Sequence, residues 1–490
     1  MQTRRDQVQA HAFVVGRMVS ALLRAEPDAQ FSPLRRLVVG TIIGVVVGGL
    51  VLAGFGVYGV FSPGGSKSWK QPGALIVEKE TGARYVFVDG QLHPVLNYTS
   101  ARLIIGGAPT IVQASRNSMR GVPHGLPVGI QAAPDYLPDL SRLDGSHWQV
   151  CSATKPDPTG ADRPLVTAMV GAHPAGPPLG TDAALLVRAP DGQAYLAWNN
   201  RRLRVRTPAT LIALGYAAAV PHPVGWSWIN SLPAGSDLAG PAAPDAGQPG
   251  PSVNGQKRVV GQVFKVGAGD SAQTQYFIAW HDGFAAVTPL TAALVLGDPA
   301  TGKSYPNGPV VALPLTPAGL ASAPRSSESL INQELPANPP RIVEPGTGLV
   351  PCIQITMNPD KGPVVQVGLG TPPAEASTMA LPATGDPMLA DRVGVQPGSG
   401  LLIKDQPAPG VADGAEYLLV DNGVRYPIPN DEAARDLGYA QAQPVLVPGL
   451  LLRLVPLGPP LDPQAAKLAL PMTAPSAATA AAFTNGGAGA

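Results

Sequence analysis

Residues 37–61 read LVVGTIIGVVVGGLVLAGFGVYGVF, a run of 25 residues without a charged side chain. As an α-helix this run would be about 37 Å long at ~1.5 Å per residue, enough to cross a hydrocarbon core of ~30 Å with some tilt. A single segment in lipid must satisfy its own backbone hydrogen bonds, and only a helix does so. The alternative, a cleaved signal peptide, has a shorter apolar region close to the terminus. The run therefore predicts one permanent transmembrane helix.

Residues 1–36 precede this span and are predicted to contain an amphipathic helix. Apolar residues between Arg4 and Arg24 recur at helical spacing, and arginines lie on the other face. Six arginines precede the span, so the positive-inside rule places the N-terminus in the cytosol and the bulk of the chain outside. The helix either lies along the membrane surface or docks cytosolic partners, and both interpretations stay open.

The composition narrows the class of the remaining chain. Net charge is +1, and charged residues make up 14% of the sequence, against ~25% for an ordinary soluble chain. Glycine (57) and proline (56) are abundant, which favours short strands, many turns and long loops. No basic stripe or aromatic platform stands out, so we expect no nucleic-acid partner.

One unit recurs four times beyond the span. Each copy has an apolar strand that starts at a tyrosine, a tight turn, a second strand and a short helix. The four tyrosines are Tyr85, Tyr195, Tyr276 and Tyr417. The predicted helix N-caps are Asn97, Thr207, Thr288 and Asn430, and the predicted left-handed C-caps are Gly106, Gly215, Gly297 and Gly438. With the strand before each tyrosine, every unit is predicted to be a three-stranded β-meander plus one helix.

The predicted fold class is α+β, with a single transmembrane helix followed by an extracytoplasmic region of four such repeats around a central β-rich core. Strand-like stretches between repeats 1 and 2, and between repeats 3 and 4, supply that core. The predicted boundaries are 1–36 for the cytosolic amphipathic helix, 37–61 for the span, 62–73 for a linker, 74–140 for repeat 1, 141–180 for the first part of the core, 181–235 for repeat 2, 236–257 for a Pro/Gly-rich loop, 258–322 for repeat 3, 323–398 for the second part of the core, 399–462 for repeat 4 and 463–490 for a disordered tail.

A phosphate-binding motif is matched once, by Gly297, Gly302, Lys303 and Ser304 in the sequence GDPATGKS. A working loop of this kind follows a buried strand and opens a helix whose amides hold the phosphates. Here the motif follows a predicted short helix and runs into Tyr305-Pro306, where no helix can start. We therefore interpret it as a surface turn, with a nucleotide site as the alternative.

No other catalytic or metal-binding pattern is found in the sequence. The seven histidines are scattered, none forms a metal-binding pair, and His281 is predicted to be solvated at a hairpin turn. The sequence thus predicts no catalytic residue, no metal site and no cofactor.

With these pieces in view, the chain resembles the EccB family of core components of type VII (ESX) secretion complexes. The resemblance covers about residues 3–462 and rests on RRDQVQAHAFVVGRMVSALL (4–23), the span, PGALIVEKETGARYVFV (72–88), the repeated units and two widely spaced outer cysteines. It implies a structural subunit in the cytoplasmic (inner) membrane and a homo-oligomeric, hexameric assembly. The implied partners are an FtsK/SpoIIIE-type ATPase (EccC), a multi-spanning subunit (EccD), EccE and a subtilisin-like mycosin protease outside. Two alternatives are an extracytoplasmic ATP-hydrolysing subunit that uses Lys303 and a cell-wall-binding anchor.

Cys151 and Cys352 are the only cysteines, and both lie beyond the span. Each occurs in a strand-like stretch, next to Val150 and Ile353. Repeats 2 and 3 fall between the two cysteines, so we predict a disulfide between Cys151 and Cys352 that joins the two passes through the centre. The alternative is a pair of buried free thiols.

Overall fold

The structure, a computed structural model, describes residues 3–24, 33–61, 67–157, 159–171, 176–267, 274–358, 362–382, 385–408, 411 and 414–470. Helices form at both positions predicted near the N-terminus: α1 (Arg4–Arg24) and α2 (Pro33–Phe61). Within α2, Arg36–Tyr58 is long and apolar enough to cross a membrane, and none of this stretch is buried. Among the described residues it is the one helix that meets this test.

The chain divides into two compact units. The first comprises residues up to Pro94 together with Thr110–Gly125, and the second comprises Val95–Pro109 and the residues from Leu126 onward. The sheet of repeat 1 lies in the first unit and contains β1 (Ala74–Glu78), β2 (Arg84–Val88), β3 (Gln91–Pro94) and β4 (Thr110–Ala114). The helix that leaves β3, α3 (Tyr98–Ile105), belongs to the second unit, whereas α4 (Arg116–Met119) belongs to the first.

The second unit continues in chain order through the core, repeat 2, repeat 3 and repeat 4. The core begins with β5 (His147–Pro156) and β6 (Asp162–Val170). Repeat 2 has β7 (Ala183–Arg188), β8 (Ala194–Trp198), β9 (Arg201–Arg204), α5 (Pro208–Ala213), β10 (His222–Pro223) and α6 (Trp226–Asn230). A hairpin of β11 (Pro249–Val253) and β12 (Gln256–Val259) comes next. Repeat 3 has β13 (Val263–Val266), β14 (Gln275–Ala279), β15 (Phe284–Val287), α7 (Pro289–Gly297), β16 (Leu313–Pro314) and α8 (Pro317–Ser322).

The chain then returns to the core. β17 (Arg341–Ile342) pairs with β7, and the core gains β18 (Val350–Thr356), β19 (Val364–Gly370), β20 (Met379–Ala380) and β21 (Arg392–Val395). Repeat 4 has β22 (Gly400–Gln406), β23 (Glu416–Val420), β24 (Arg425–Ile428), α9 (Asp431–Asp436) and β25 (Val445–Pro448), followed by α10 (Gly449–Leu452) and α11 (Pro463–Lys467).

All four repeats share one sheet topology, in which the predicted meander gains a fourth strand. The strand orders are β3-β2-β1-β4, β9-β8-β7-β10, β15-β14-β13-β16 and β24-β23-β22-β25. In each repeat the strand after the helix pairs parallel to the first strand. These fourth strands were not predicted from the sequence because two of them are only two residues long, too short for an alternating pattern.

A short return segment also recurs after each fourth strand and pairs parallel to the third strand of the sheet. The four segments are 123–125, 233–235, 324–326 and 456–458. Three of them read Pro-x-Gly, and a Cβ on Gly125, Gly235 or Gly458 would overlap the side chain of His93, Leu203 or Tyr426 on the third strand. The return segment of the third repeat reads Pro-Arg-Ser. The strand residue that corresponds to His93, Leu203 and Tyr426 is Ala285, whose side chain is small.

The structure corrects four expectations. The predicted loop 236–257 contains most of the β11–β12 hairpin, because Asn254 and Gly255 take the left-handed conformations of a tight turn. The predicted linker 62–73 ends in folded chain, since Trp69 is 1% exposed and its Nε1 donates to Ser118 Oγ at 2.9 Å. Residues 62–66 lie outside the described residues.

The predicted disordered tail starts too early. Residues 463–467 form α11, and Ala466 is fully buried against the core of repeat 4. Residues 471–490 lie outside the described residues. The fourth correction concerns Gly297, which is the last residue of α7 and not a left-handed C-cap. Gly106, Gly215 and Gly438 do take positive φ, as predicted.

Candidate functional site

The two cysteines meet in the middle of the core sheet, whose strand order is β19-β18-β5-β6-β21-β20. β5 and β18 run antiparallel, and their register places Cys151 directly opposite Cys352. The two residues form a disulfide, and each is 1% exposed. The bond joins the two passes of the chain through the core, which are 201 residues apart in sequence.

The surroundings of the disulfide are apolar and are supplied by both halves of the second unit. Val150 and Ile353 are fully buried beside the cysteines and share one cluster with Val187 of repeat 2 and Ile403 of repeat 4. The indole Nε1 of Trp228, from α6, donates to the Pro351 carbonyl oxygen at 3.1 Å. The core sheet is therefore a junction to which repeats 2 and 4 are fixed by packing.

Helices of different repeats pair within the second unit. A Cβ on Gly297, at the end of α7, would overlap Ala213 at the end of α5, so the glycine permits the close approach of these two helices. On the other side, the guanidinium Nε of Arg102 in α3 donates to the Asp436 carbonyl oxygen at the end of α9, at 3.1 Å. The Tyr439 hydroxyl donates to the Pro138 carbonyl oxygen, and burial raises the pKa of Tyr439 well above its ordinary value.

The phosphate-loop motif follows the helix α7, and not a strand. Residues Pro299–Ser304 form a 3₁₀ helix that ends at Tyr305 and opens no α-helix. The Ser304 hydroxyl, which would face a nucleotide-bound cation, is buried and donates to the Val260 carbonyl oxygen at 2.7 Å. The Thr301 hydroxyl likewise donates to Val295 at 2.6 Å. Lys303 is exposed on the surface of the turn.

The described residues include no group of three or more His, Cys, Asp or Glu side chains placed to hold a metal ion. His281 is half exposed at its hairpin turn, and its Nε2 lies 3.7 Å from a carboxylate oxygen of Glu328. The neighbouring Asp282 has a structural role: the adjacent Ser326 side chain first, and then hydrogen bonds from the Ser327 amide and hydroxyl to its Oδ2, lower its pKa to about 2. This polar cluster holds a turn together.

The N-terminal helix α1 exposes much of its apolar surface. Its start is capped by Asp6, whose carboxylate accepts from the Thr3 amide and hydroxyl at 3.0 and 2.6 Å. Val8 is 67% exposed and Leu22 is 86% exposed. An apolar face of this kind, left open on a helix with arginines on the opposite side, is typical of a docking or membrane-surface helix.

The Pro-x-Gly motif of the return segments is the strongest sequence signal of the fold that was not recognised in advance. Pro123, Pro233 and Pro456 each stand two residues before the glycine, so the motif is readable in the sequence once the four copies are aligned. Its importance follows from the backbone hydrogen bonds. In each of these repeats the proline carbonyl oxygen accepts from the third strand and the glycine amide donates back to it.

Comparison with known proteins identifies the relatives of this chain. The family described as "Type VII secretion system ESX-1, transport TM domain B" matches residues 1–475. A protein of Mycolicibacterium smegmatis named ESX-3 secretion system ATPase EccB3 is 31% identical over 94% of this chain and 89% of its own length. A protein of Mycobacterium tuberculosis named ESX-2 secretion system ATPase EccB2 is 30% identical over 95% of this chain and 94% of its own.

Two solved structures show the same fold. A chain of an intact ESX-5 inner membrane complex has a TM-score of 0.64 and 25% identity, and the match covers 97% of this chain and 98% of that one. A chain of the EccB3 dimer from the ESX-3 core complex has a TM-score of 0.63 and 28% identity, and the match covers 81% of this chain and 100% of that one.

Proposed function

The chain belongs to the family of type VII secretion components whose members include the EccB proteins, and on this premise we propose that it is a structural subunit of a type VII secretion complex in the cell envelope. The observation that carries the proposal is the unburied apolar stretch Arg36–Tyr58, which precedes a large folded region of four repeats. Such a chain is suited to anchor an extracytoplasmic scaffold in the inner membrane, with its N-terminus in the cytosol.

The partners are proposed from the family and from the exposed helix α1. We expect self-association of the outer region in a hexameric assembly, and α1 to dock the FtsK/SpoIIIE-type ATPase EccC and the multi-spanning EccD, with EccE and the mycosin protease in the same complex. The relatives of known structure lend support, since one is part of an ESX-5 inner membrane complex and another is an EccB3 dimer.

The docking role of α1 can be tested on the full-length protein. Deletion of residues 4–25 should leave the chain in the membrane and abolish co-purification with the ATPase and the multi-spanning subunit. Val8→Glu places a charge on the exposed apolar face, and Ala10→Glu places the same charge about 200° around the helix. Loss of co-purification with Val8→Glu but not with Ala10→Glu supports docking through the apolar face. Unchanged recovery after the deletion would contradict a docking role and leave membrane-surface binding.

The names of two relatives, both called secretion system ATPases, favour a second candidate, ATP hydrolysis. Three features of the structure oppose it: the 3₁₀ conformation of Pro299–Ser304, the buried Ser304 hydroxyl and the exposed Lys303. We propose that the chain does not hydrolyse ATP. If purified full-length protein shows any ATP turnover, Lys303→Ala should leave that turnover unchanged. Turnover that is lost in a folded Lys303→Ala variant would overturn this part of the proposal.

A further inference from the structure

The third repeat differs from the other three at the free edge of its sheet. Each of the other three repeats buries an apolar residue that lies four positions after the central residue of its return segment. These residues are Val128, Leu238 and Leu461, which are 6%, 1% and 0% exposed. The Leu238 amide donates to the Arg204 carbonyl oxygen at 2.8 Å, and the Leu461 amide donates to that of Pro427 at 2.8 Å. Val128 pairs with the end of its own third strand at Val95. Three repeats therefore cover this edge with a later part of their own chain.

In the third repeat the corresponding residue is Ser329, and it is exposed. The chain leaves the edge early because Ser327 turns back to Asp282, whose Oδ2 accepts from the Ser327 amide at 2.8 Å and from its hydroxyl at 2.9 Å. The strand carbonyl equivalent to those of Arg204 and Pro427 belongs to Ala286, two residues after Phe284. Within the described ranges, no backbone amide donates to the Ala286 carbonyl from outside the sheet.

A groove of about 700 Å³ opens at this edge. Its walls include the side chains of Phe277, Phe284, Leu320 and Ile331, and Ile331 is 48% exposed. The groove thus combines a strand edge that has a free hydrogen-bond acceptor with an apolar lining. These are the two features by which an extended peptide is added to a sheet: main-chain hydrogen bonds give affinity, and pockets for alternate side chains give specificity.

We propose that the groove of the third repeat binds the chain's own C-terminal segment, residues 471–490, as an added strand. In the three other repeats, a later part of the same chain occupies the corresponding place. The segment contains no charged side chain, so burial of its side chains carries no cost of charge desolvation, and its one aromatic residue is Phe483, between alanine and threonine. We expect a backbone amide of this segment to donate to the Ala286 carbonyl oxygen and the Phe483 ring to take the place that Leu238 and Leu461 fill in their repeats.

The segment starts from a fixed point in the second unit. Leu470 is held in the second unit by the bond from its amide to the Pro127 carbonyl oxygen at 2.9 Å. The 20 residues that follow can span about 66 Å when extended.

Binding can be measured with the full-length protein in detergent and a variant that ends at Leu470. A fluorescent synthetic peptide of residues 471–490 should bind the shortened variant, and the full-length protein should bind it at least tenfold more weakly, because its own segment competes. The same peptide with Phe483→Ala should bind at least tenfold more weakly to the shortened variant. Ala286→Lys, which fills the groove, should abolish binding, whereas Ala300→Lys, at an exposed site outside the groove in the same repeat, should not.

The proposal would be overturned by the absence of peptide binding to the shortened variant. Binding that Ala286→Lys leaves unchanged would overturn it as well. A change of oligomeric state caused by Ala286→Lys but not by removal of residues 471–490 would also overturn it, because a second copy of the folded region would then be the occupant. A photo-crosslinker at position 483 of the full-length chain should label peptides from residues 274–331, and labelling confined to other regions counts against the groove.

Discussion

Removal of the Cys151–Cys352 bond should lower the stability of the second unit more than any other single covalent change. The perturbation is the double substitution Cys151→Ala and Cys352→Ala, or reduction of the wild-type protein. Both cysteines lie in paired strands, so the bond closes a loop across the core and restricts the unfolded chain rather than adding a native contact.

The magnitude follows from the length of the closed loop. With a sequence separation of 201 between the cysteines, the chain-entropy relation gives an upper figure of about 5 kcal/mol at 25 °C. Residual structure in the unfolded chain reduces this value. A loss of this size corresponds to a decrease of about 10 °C in Tm for a large domain. The two alanines also remove buried sulfur atoms, so reduction of the wild-type protein isolates the effect of the bond itself.

The assay has two readouts on protein isolated from its native compartment without reductant. Thiol titration in denaturant should find no free thiol, and thermal unfolding should shift on addition of reductant in the wild type but not in the double variant. Two titratable thiols per chain would refute the bond. A wild-type Tm that is insensitive to complete reduction would refute the loop-entropy reasoning.

Three further predictions concern the second unit. Gly297→Ala should cost about 1–3 kcal/mol in the free energy of unfolding because its Cβ overlaps Ala213, and Ala213→Gly in the same chain should restore much of the loss. Arg102→Met should cost about 1.5–3 kcal/mol, because the Asp436 carbonyl oxygen loses a charged donor; chemical unfolding measures this. Since the pKa of Asp282 lies at about 2, below its unfolded value, its stabilising effect is fully present above the unfolded pKa and is lost as pH falls through about 2. Asp282→Asn should therefore destabilise the protein at neutral pH. The difference in Tm from the wild type should vanish as the pH falls through about 2.

Much of the architecture could be predicted from local signals in the sequence. The span is a pure hydropathy signal, and the repeats show in tyrosines, turn residues and caps that each act over a few residues. Asn97 and Asn430 accept from the amide three residues on, as their position before a helix predicts. The pairing of the two cysteines could be predicted from the sequence because the chain has only two.

The features that could not be predicted depend on contacts distant in sequence. Gly297 was predicted as a C-cap because glycine suits that position, yet its role is set by Ala213 in another repeat. α11 was missed because its five residues carry no amphipathic pattern and gain order only by burial of Ala466. The open edge at Ala286 becomes visible only when the hydrogen bonds of all four repeats are compared.

The most direct test of the central claim is isolation of the membrane complex from native cells through a tag on the full-length chain, in mild detergent, followed by electron cryo-microscopy. The account predicts a large assembly that contains several copies of this chain, with the other secretion components present and the four repeats of each copy on the outer side of the membrane. The same assembly should form with Lys303→Ala. Recovery of this chain alone, as a monomer without the motor or the multi-spanning subunit, would contradict the account.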